Sequence, residues 1–339
     1  MSHEVSRQVR DYITEKSWLQ EFIILEGSAF LFCATMVEGF FTGKGDKTMD
    51  NRFIIIDGFN LLSRCYFATS YGREDHELTK NSEGLYTNAL RVKVQKLLNL
   101  IEMYNPSHLA IAWDVKREET LRRQRFPDYK DTRNELPEPL IQQYTTITEL
   151  FDIVGVTQLT ISPYEADDII GTLSRRWSDE MDGECFIYSN DRDLLQLLTN
   201  KVSQIIAKKK EENAYTLKHF SDEYGITPAQ WIDVKALLGD KSDNIPGVHG
   251  VGEKAALPMI QQYGTVEAIY EEEEIDPIFK RYLKKIAAGR EMAFLSKELV
   301  TIDTEIPILK ETPWDGFSLR LDRDKLREEV ERLELRVRM

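Results

Sequence analysis

The sequence predicts an α/β fold with an open, mainly parallel sheet and a smaller α-rich region after it. Three observations carry this. Short apolar runs alternate with amphipathic stretches between residues 52 and 220, the pattern of strands joined by helical crossovers. The runs are continuous rather than alternating in polarity, as in strands buried on both faces. From about Phe220 onward the runs fade and only helical spacing remains.

The elements follow in order. Arg52–Asp57 (RFIIID) reads as a buried strand whose carboxylate emerges at its C-terminal end, before Gly58. Leu85–Tyr104 has helical apolar spacing and stops near Asn105-Pro106, and His108–Asp114 (HLAIAWD) repeats the strand-then-acid pattern. Pro139–Leu150 reads as a helix, Gly155–Thr160 as a short strand and Pro163–Arg176 as a helix carrying Tyr164-Glu165-Ala166-Asp167-Asp168. Glu184–Tyr188 is a strand followed at once by Ser189-Asn190-Asp191-Arg192-Asp193. Beyond it, Asp222–Leu238, Glu253–Gln262, Val266–Glu271 and Ile278–Ala288 read as helices, with a charged terminal helix over Asp322–Arg336. Ligands of such sheets bind beyond the carboxyl ends of the strands, where Asp57, Asp114, Asp191 and Asp193 are expected to converge.

A chain of 339 residues with 42% hydrophobic and 30% charged residues can bury a sizeable core. The formal net charge of -14 argues, taken alone, against a nucleic-acid partner. A cluster of metal-binding acids would inflate that count, however, and basic patches act locally. Cys33, Cys65 and Cys185 are odd in number and widely spaced, so no disulfide framework or zinc site follows, and a reducing cytoplasm is expected. Residues 1–48 stand apart as an extension of unknown role. Phe22–Phe41 is apolar but interrupted by Glu26 and Glu38, so it predicts neither a membrane span nor a signal peptide. Met49, just before the first strand, leaves open that the preceding residues are translated upstream sequence.

The acids form the strongest constellation. Asp57, Asp114, Glu165, Asp167, Asp168, Asp191, Asp193, Asp240 and Asp243 all lie where the fold would gather them. So many carboxylates in one crevice repel one another and lose hydration unless cations neutralise them. Oxygen donors without His or Cys favour magnesium, with manganese as a substitute. Asp240 and Asp243 share a face if the helix through Trp231–Leu238 continues across them. Next to them Gly247-Val248-His249-Gly250-Val251-Gly252-Glu253-Lys254 is a glycine-rich turn opening a helix, where backbone N–H groups can approach a phosphate.

Lys116–Arg133 (KREETLRRQRFPDYKDTR) is net positive in a negative protein, with Phe126 and Tyr129 set among its cations. Charge that tracks a backbone beside ring faces suits a single strand, against the plainer reading of a solvated amphipathic segment. Lys208–Lys210 is a second basic cluster, expected to be a solvated loop.

These residues together resemble the bacterial and phage 5′-nucleases, which include the 5′–3′ exonuclease domain of DNA polymerase I and free-standing flap endonucleases. The resemblance runs from about Arg52 to at least Ala288. It rests on Asp57-Gly58 with Leu62, Arg64 and Tyr66; Gly84 with Thr87-Asn88-Ala89; Asp114; Phe126, Tyr129, Lys130 and Arg133; Tyr164 to Asp168; Asp191 to Leu197; and Gly239 to Ala256. It implies a PIN-like (resolvase-like) nuclease core over 49–220, with a helical arch near 115–135. A helix-three-turn-helix region for DNA binding and a C-terminal segment follow over 221–339. By family pattern Asp57, Asp114, Glu165, Asp167 and Asp168 form a first metal cluster, and Asp191, Asp193, Asp240 and Asp243 a second. Lys130 and Arg133 are the catalytic cations of the arch, through or under which a 5′ strand passes. Arg122, Arg125, Phe126 and Tyr129 of the arch, and Gly247, Gly250, Gly252 and Lys254 of the hairpin, are expected to contact DNA. The resemblance also allows a potassium ion on backbone carbonyls of the hairpin. Trp113 and Asn190 depart from the family's usual Phe and Gly, without removing a metal ligand.

The expected activity is metal-dependent hydrolysis of DNA at 5′ flaps and 5′ ends in replication or repair, by a cytoplasmic monomer with no membrane partner. The chain would be a separate short nuclease or an excised domain. The rival readings are a catalytically weak DNA-junction binding module and a PIN-type ribonuclease.

Overall fold

The computed structural model describes residues 51–208 and 211–339; the expectations for residues 1–48 and for Lys209 and Lys210 of the second basic cluster lie outside the described residues. The central sheet has six strands: β1 (Arg52–Asp57), β2 (His108–Ala112), β3 (Gln158–Leu159), β4 (Glu184–Tyr188), β5 (Val202–Lys208) and β6 (Glu211–Tyr215), in the order β3-β2-β1-β4-β5-β6. All neighbouring pairs are parallel except the β5–β6 hairpin. The register pairs Asp57 with Ala112 and Ile56 with both Ile111 and Tyr188, so the C-terminal ends of β2, β1 and β4 lie side by side.

Continuous apolar strands require both sheet faces to be covered, and they are. On one face α1 (Gly58–Ser70), α2 (Asn88–Tyr104) and α4 (Glu138–Ile153) bury Leu62, Leu90, Val94 and Phe151 against Ile54 and Ile56. On the other, α5 (Ala166–Glu180) buries Ile169, Leu173 and Trp177 against Phe53 and Ile55. Alternate residues of β1 thus enter opposite layers, as the two-residue period of a strand dictates.

The helical region comprises α6 (Leu217–Tyr224), α7 (Pro228–Leu238), α8 (Glu253–Tyr263), α9 (Val266–Glu271), α10 (Leu283–Ala288) and α11 (Arg290–Val300), around a separate core that includes Trp231, Val248, Ala256 and Met259. The helix expected over Asp222–Leu238 is two helices. Gly225 closes α6 at φ 63, and Thr227 caps α7 with Pro228 in its first turn. Ile278–Ala288 likewise divides, a 3₁₀ turn over Pro277–Tyr282 preceding α10.

The C-terminal segment packs away from the helices it follows. After α11 the chain returns to the sheet. Ile302, Ile306, Leu309 of α12 (Pro307–Glu311) and Phe317 join the α5-side core, and Leu326 and Val330 of α13 (Arg323–Arg332) join the other. The C-terminal segment therefore completes the sheet layers rather than the helical region. Among the described residues no helix is long and apolar enough to cross a membrane.

Candidate nuclease centre

The strand ends supply the first acids. Asp57 closes β1 and caps α1, its carboxylate accepting hydrogen bonds from the Asn60 amide (3.0 Å) and Ser189 Oγ (2.9 Å). Asp114 lies just past β2 and accepts from the amide of Ala166 (3.0 Å), which ties β2 to the start of α5. Glu165 caps α5 in a capping box with Asp168, which brings Asp167 between them to the same place. Asp191 and Asp193 follow β4, the Asp193 amide donating to Asp191 Oδ1 at 2.9 Å.

Asp240 and Asp243 are not on one helix face as expected. Gly239 ends α7 at φ 72, and reciprocal bonds between the backbones of Asp240 and Ile245 (2.9 and 2.7 Å) close a tight loop instead. The loop still carries Asp243 to the acids of the strand ends.

A cavity of ≈ 610 Å³ receives Asp57, Asp114, Asp167, Asp191 and Asp243, with Lys130 and Arg133 in its wall. Burial and the charge of Asp114 push the Asp57 carboxyl up to about 7. Asp167 is held well above the ordinary range by lost hydration and by Asp191, and Asp191 is raised chiefly by lost hydration. Enclosure raises Asp114 as well, although its surface stays open to solvent on the cavity side. These groups share one unfavourable condition, negative charge gathered in poor solvation, which divalent cations would relieve. Among the described residues no acid group is preassembled as a metal-ligand set. The oxygen-only donors fit a hard divalent ion all the same, because several of them are left without a cation of the protein's own.

The remaining expected ligands are differently placed. Asp193 and Asp240 share the ammonium of Lys235 (2.7 and 2.5 Å). Burial still raises Asp193 to about 7. Burial would also raise Asp240, but Lys235 outweighs it and holds Asp240 below its usual value. Asp168 accepts both guanidinium nitrogens of Arg122 (2.8 Å each), and Glu165 accepts from Arg122 at 2.8 Å and from Lys130. Burial of Glu165 is outweighed by Lys130 and Arg122, which keep it below its ordinary range. The two expected clusters thus resolve into five aspartates facing a cavity, of which Asp243 is itself paired with Arg133, and four further acids bound to side-chain cations.

The segment expected to form the arch is folded onto this centre. A 3₁₀ turn (Arg117–Glu119), the short helix α3 (Leu121–Arg125) and a turn bring Lys130 down at φ 55. Its amide donates to the Asp243 carbonyl (2.8 Å), its ammonium reaches Glu165, and Arg133 pairs with Asp243. Three expected DNA contacts take other roles here. Arg122 is enclosed by Asp168, Glu165 and the carbonyls of Leu299 and Thr301. Tyr129 is 3% exposed, its hydroxyl 3.2 Å from both Glu165 and Asp243. Phe126 packs on Ile245, Leu299 and Val300. Cations beside a cluster of acids are drawn into it, and their neighbouring rings follow. Arg125 remains on the surface, paired with Glu298 at 2.7 Å.

The glycine turn opens α8 as expected. Gly247 (φ 59) and Gly250 (φ 77) are left-handed. A Cβ on Gly247 would lie 2.4 Å from the Gly239 amide nitrogen, so two backbones pass where only glycine fits. Gly250, Gly252 and Lys254 are exposed, whereas Gly247 is buried with its amide on Ser296 Oγ (2.9 Å). His249 is an exposed turn residue.

Sequence reasoning missed Ser189, Lys235 and Lys93. Lys235 carried a faint signal, a lysine in the last turn of a helix running into acids, where the helix dipole favours a cation. Ser189 carried none, since serine before a strand-end acid is common.

Comparison with known proteins agrees with this architecture. The 5′-3′ exonuclease N-terminal resolvase-like domain matches residues 52–225, and the 5′-3′ exonuclease C-terminal SAM fold matches 226–320. A 5′-3′ exonuclease of Halalkalibacterium halodurans is 55% identical over 287 residues, 84% of this chain and 95% of that protein. A 5′-3′ exonuclease of Bacillus subtilis is 36% identical over 261 residues, 76% of this chain and 86% of that one. DNA polymerase I of Streptococcus pneumoniae is 41% identical over 261 residues, covering 76% of this chain but 29% of the polymerase. In fold the chain is similar to T5 5′-exonuclease with bound zinc, at TM-score 0.61 and 22% identity over 84% of this chain and 99% of that one. With both domain models in order along the described chain, this protein belongs to the 5′-3′ exonuclease family.

Proposed function

We propose that this 5′-nuclease hydrolyses phosphodiesters of DNA at 5′ flaps and 5′ ends, using divalent ions held by the carboxylates of its cavity. The observation that carries this is the cavity with Asp57, Asp114, Asp167, Asp191 and Asp243 in its wall and Lys130 and Arg133 beside them. Magnesium is the ion assigned, with manganese as substitute, because every donor is a hard oxygen. When bound, such ions would neutralise the phosphodiester and lower the pKa of water. Glu165, Asp168, Asp193 and Asp240 complete the set once their side-chain cations are displaced, Lys235 from Asp193 and Asp240, Lys130 from Glu165, and Arg122 from Glu165 and Asp168.

The chain's own residues account for the rest. Lys130 and Arg133, held by carboxylates in the absence of DNA, exchange these for oxygens of the transferring phosphate and stabilise its charge. A water oxygen loses a proton and bonds to phosphorus, the bond from phosphorus to the 3′ oxygen breaks with its electron pair left on that oxygen, and the 3′ oxygen takes up a proton, so that a 5′-phosphate and a 3′-hydroxyl result. Arg125 and the exposed Gly250, Gly252 and Lys254 remain available to the DNA backbone. The Gly250 carbonyl already accepts from Lys285 Nζ at 3.1 Å, which counts against a potassium ion on that oxygen. Buried free Cys65 and Cys185 agree with a reducing, cytoplasmic setting.

The test is cleavage of a 5′-labelled double-flap DNA with magnesium, against an EDTA control and a matched RNA flap. Magnesium-dependent release of a short product cut near the junction is expected. Tight binding without cleavage, also in manganese, would instead favour a junction-binding module, and preference for the RNA flap a ribonuclease.

A further inference from the structure

Lys93 is 0% exposed, on the same face of α2 that buries Ala89, Leu90, Val94 and Leu97. Among the described residues no carboxylate pairs with it. A lone buried cation is expensive, and burial pushes this lysine down to about 7. Its ammonium has two near partners, with the Phe151 ring farther off at 5.7 Å. Gly58 accepts a hydrogen bond through its carbonyl at 2.7 Å, and the Trp113 ring centre lies 3.9 Å away. Gly58 and Trp113 also touch each other, since a Cβ on Gly58 would lie 2.6 Å from Trp113 Cδ2 and Cε3. Trp113 is anchored further by its Nε1, which donates to Gln158 Oε1 at 2.9 Å.

The place of these two partners is what matters. Gly58 directly follows Asp57 and Trp113 directly precedes Asp114. One ammonium therefore grips the chain at both strand-end acids, beneath the cavity they face.

We propose that Lys93 is a positioning residue of the nuclease centre, which sets the separation of Asp57 and Asp114 for metal binding by holding Gly58 and Trp113 together. The inference rests on the reading of those acids as metal ligands. Groups that orient metal ligands without touching the metal contribute about 10–100-fold to affinity.

The test is Mn²⁺ binding to EDTA-treated, refolded-free native protein, followed by electron paramagnetic resonance of the unbound ion, with thermal melting alongside. Lys93→Met keeps length and volume but removes the ammonium. We expect Mn²⁺ affinity to fall about tenfold while Tm stays unchanged or rises, because an apolar side chain replaces a buried charge. A purely structural lysine would give the reverse pattern, a lower Tm with metal affinity kept. Trp113→Phe retains the Gly58 bond and loses the Gln158 anchor, so it should weaken Mn²⁺ binding less; it also carries the test if Lys93→Met does not fold. Mn²⁺ binding by Lys93→Met, or by Trp113→Phe in its place, that equals or exceeds the wild type overturns the inference alone. Absence of Mn²⁺ binding by the wild type overturns the metal reading along with it.

Discussion

The acids at the strand ends and those at the mouth of the helical region solve the same electrostatic problem in opposite ways. Asp57 and Asp114 stand at the ends of rigid parallel strands and take hydrogen bonds from Asn60, Ser189 and Ala166, and among the described residues neither has a side-chain cation in ion-pair contact. Asp240 and Asp243 sit on a tight loop, and each is gripped by a cation, Lys235 for one and Arg133 for the other. A sheet can hold charges in place by covalent geometry and backbone hydrogen bonds alone, so its acids can be left uncompensated. A loop cannot, and its acids are neutralised where they stand. With these acids proposed as metal ligands, the first arrangement would favour an incoming cation, and the second would make any such cation compete with lysine and arginine.

This contrast can be broken from either side. The largest effect is expected from removing a sheet acid. Asp114→Ala should slow single-turnover flap cleavage by several orders of magnitude, and near-normal turnover would remove the strand ends from the reaction. Lys130→Ala should lower the same rate by about 10²–10³-fold, the usual loss when a preorganised group that stabilises charge in the transition state is deleted. Binding of the flap, measured separately by fluorescence anisotropy, should change far less; equal losses would make Lys130 a phosphate-positioning residue instead.

On the loop side the effects are on stability. Lys235→Met leaves Asp193 and Asp240 facing each other without their shared cation. It should cost about 3 kcal/mol in urea unfolding without metal, the scale for breaking a buried ion pair from one side. Magnesium should recover part of that loss, and a variant as stable as the wild type in EDTA would show that Lys235 compensates nothing. Gly247→Ala should cost about 1–3 kcal/mol, from the left-handed backbone and the contact with Gly239.

The smallest effect is on pH dependence. Asp57 and Asp193 have carboxyls raised to about 7, above the ordinary unfolded value near 3.9. Between those values these two groups bind more protons in the folded protein than in the unfolded chain, so their contribution to metal-free stability should fall as pH rises from about 4 to about 7. Melting in EDTA across that range checks this, and magnesium should raise Tm more at high pH than at low. A Tm that climbs with pH across the window would mean that these acids are not poorly solvated together.

Much of this could be read in the amino-acid sequence. Continuous apolar runs such as RFIIID can only be satisfied between two covering layers, so the sheet and the acid at its strand end were legible from local pattern. Ordered motifs along the chain led to the family. Weakly patterned elements were lost. The β5–β6 hairpin has mixed polarity, α1 follows a strand without a break, and the return of residues 302–335 to the sheet depends on contacts far apart in sequence.

What the sequence by itself determined is which side chains are present and on which strand or turn they stand, because hydrophobic period and turn chemistry act over a few residues. Only the tertiary structure decided which acids remain open and which are paired. That choice depends on cations brought from elsewhere in the chain: Arg122 to Asp168, Lys130 to Glu165 and Lys235 to Asp193. Charge pairing acts through space over a few ångströms, and sequence distance says little about it. The same holds for Lys93, which reads as one more lysine on a helix until the fold closes Gly58 and Trp113 around it.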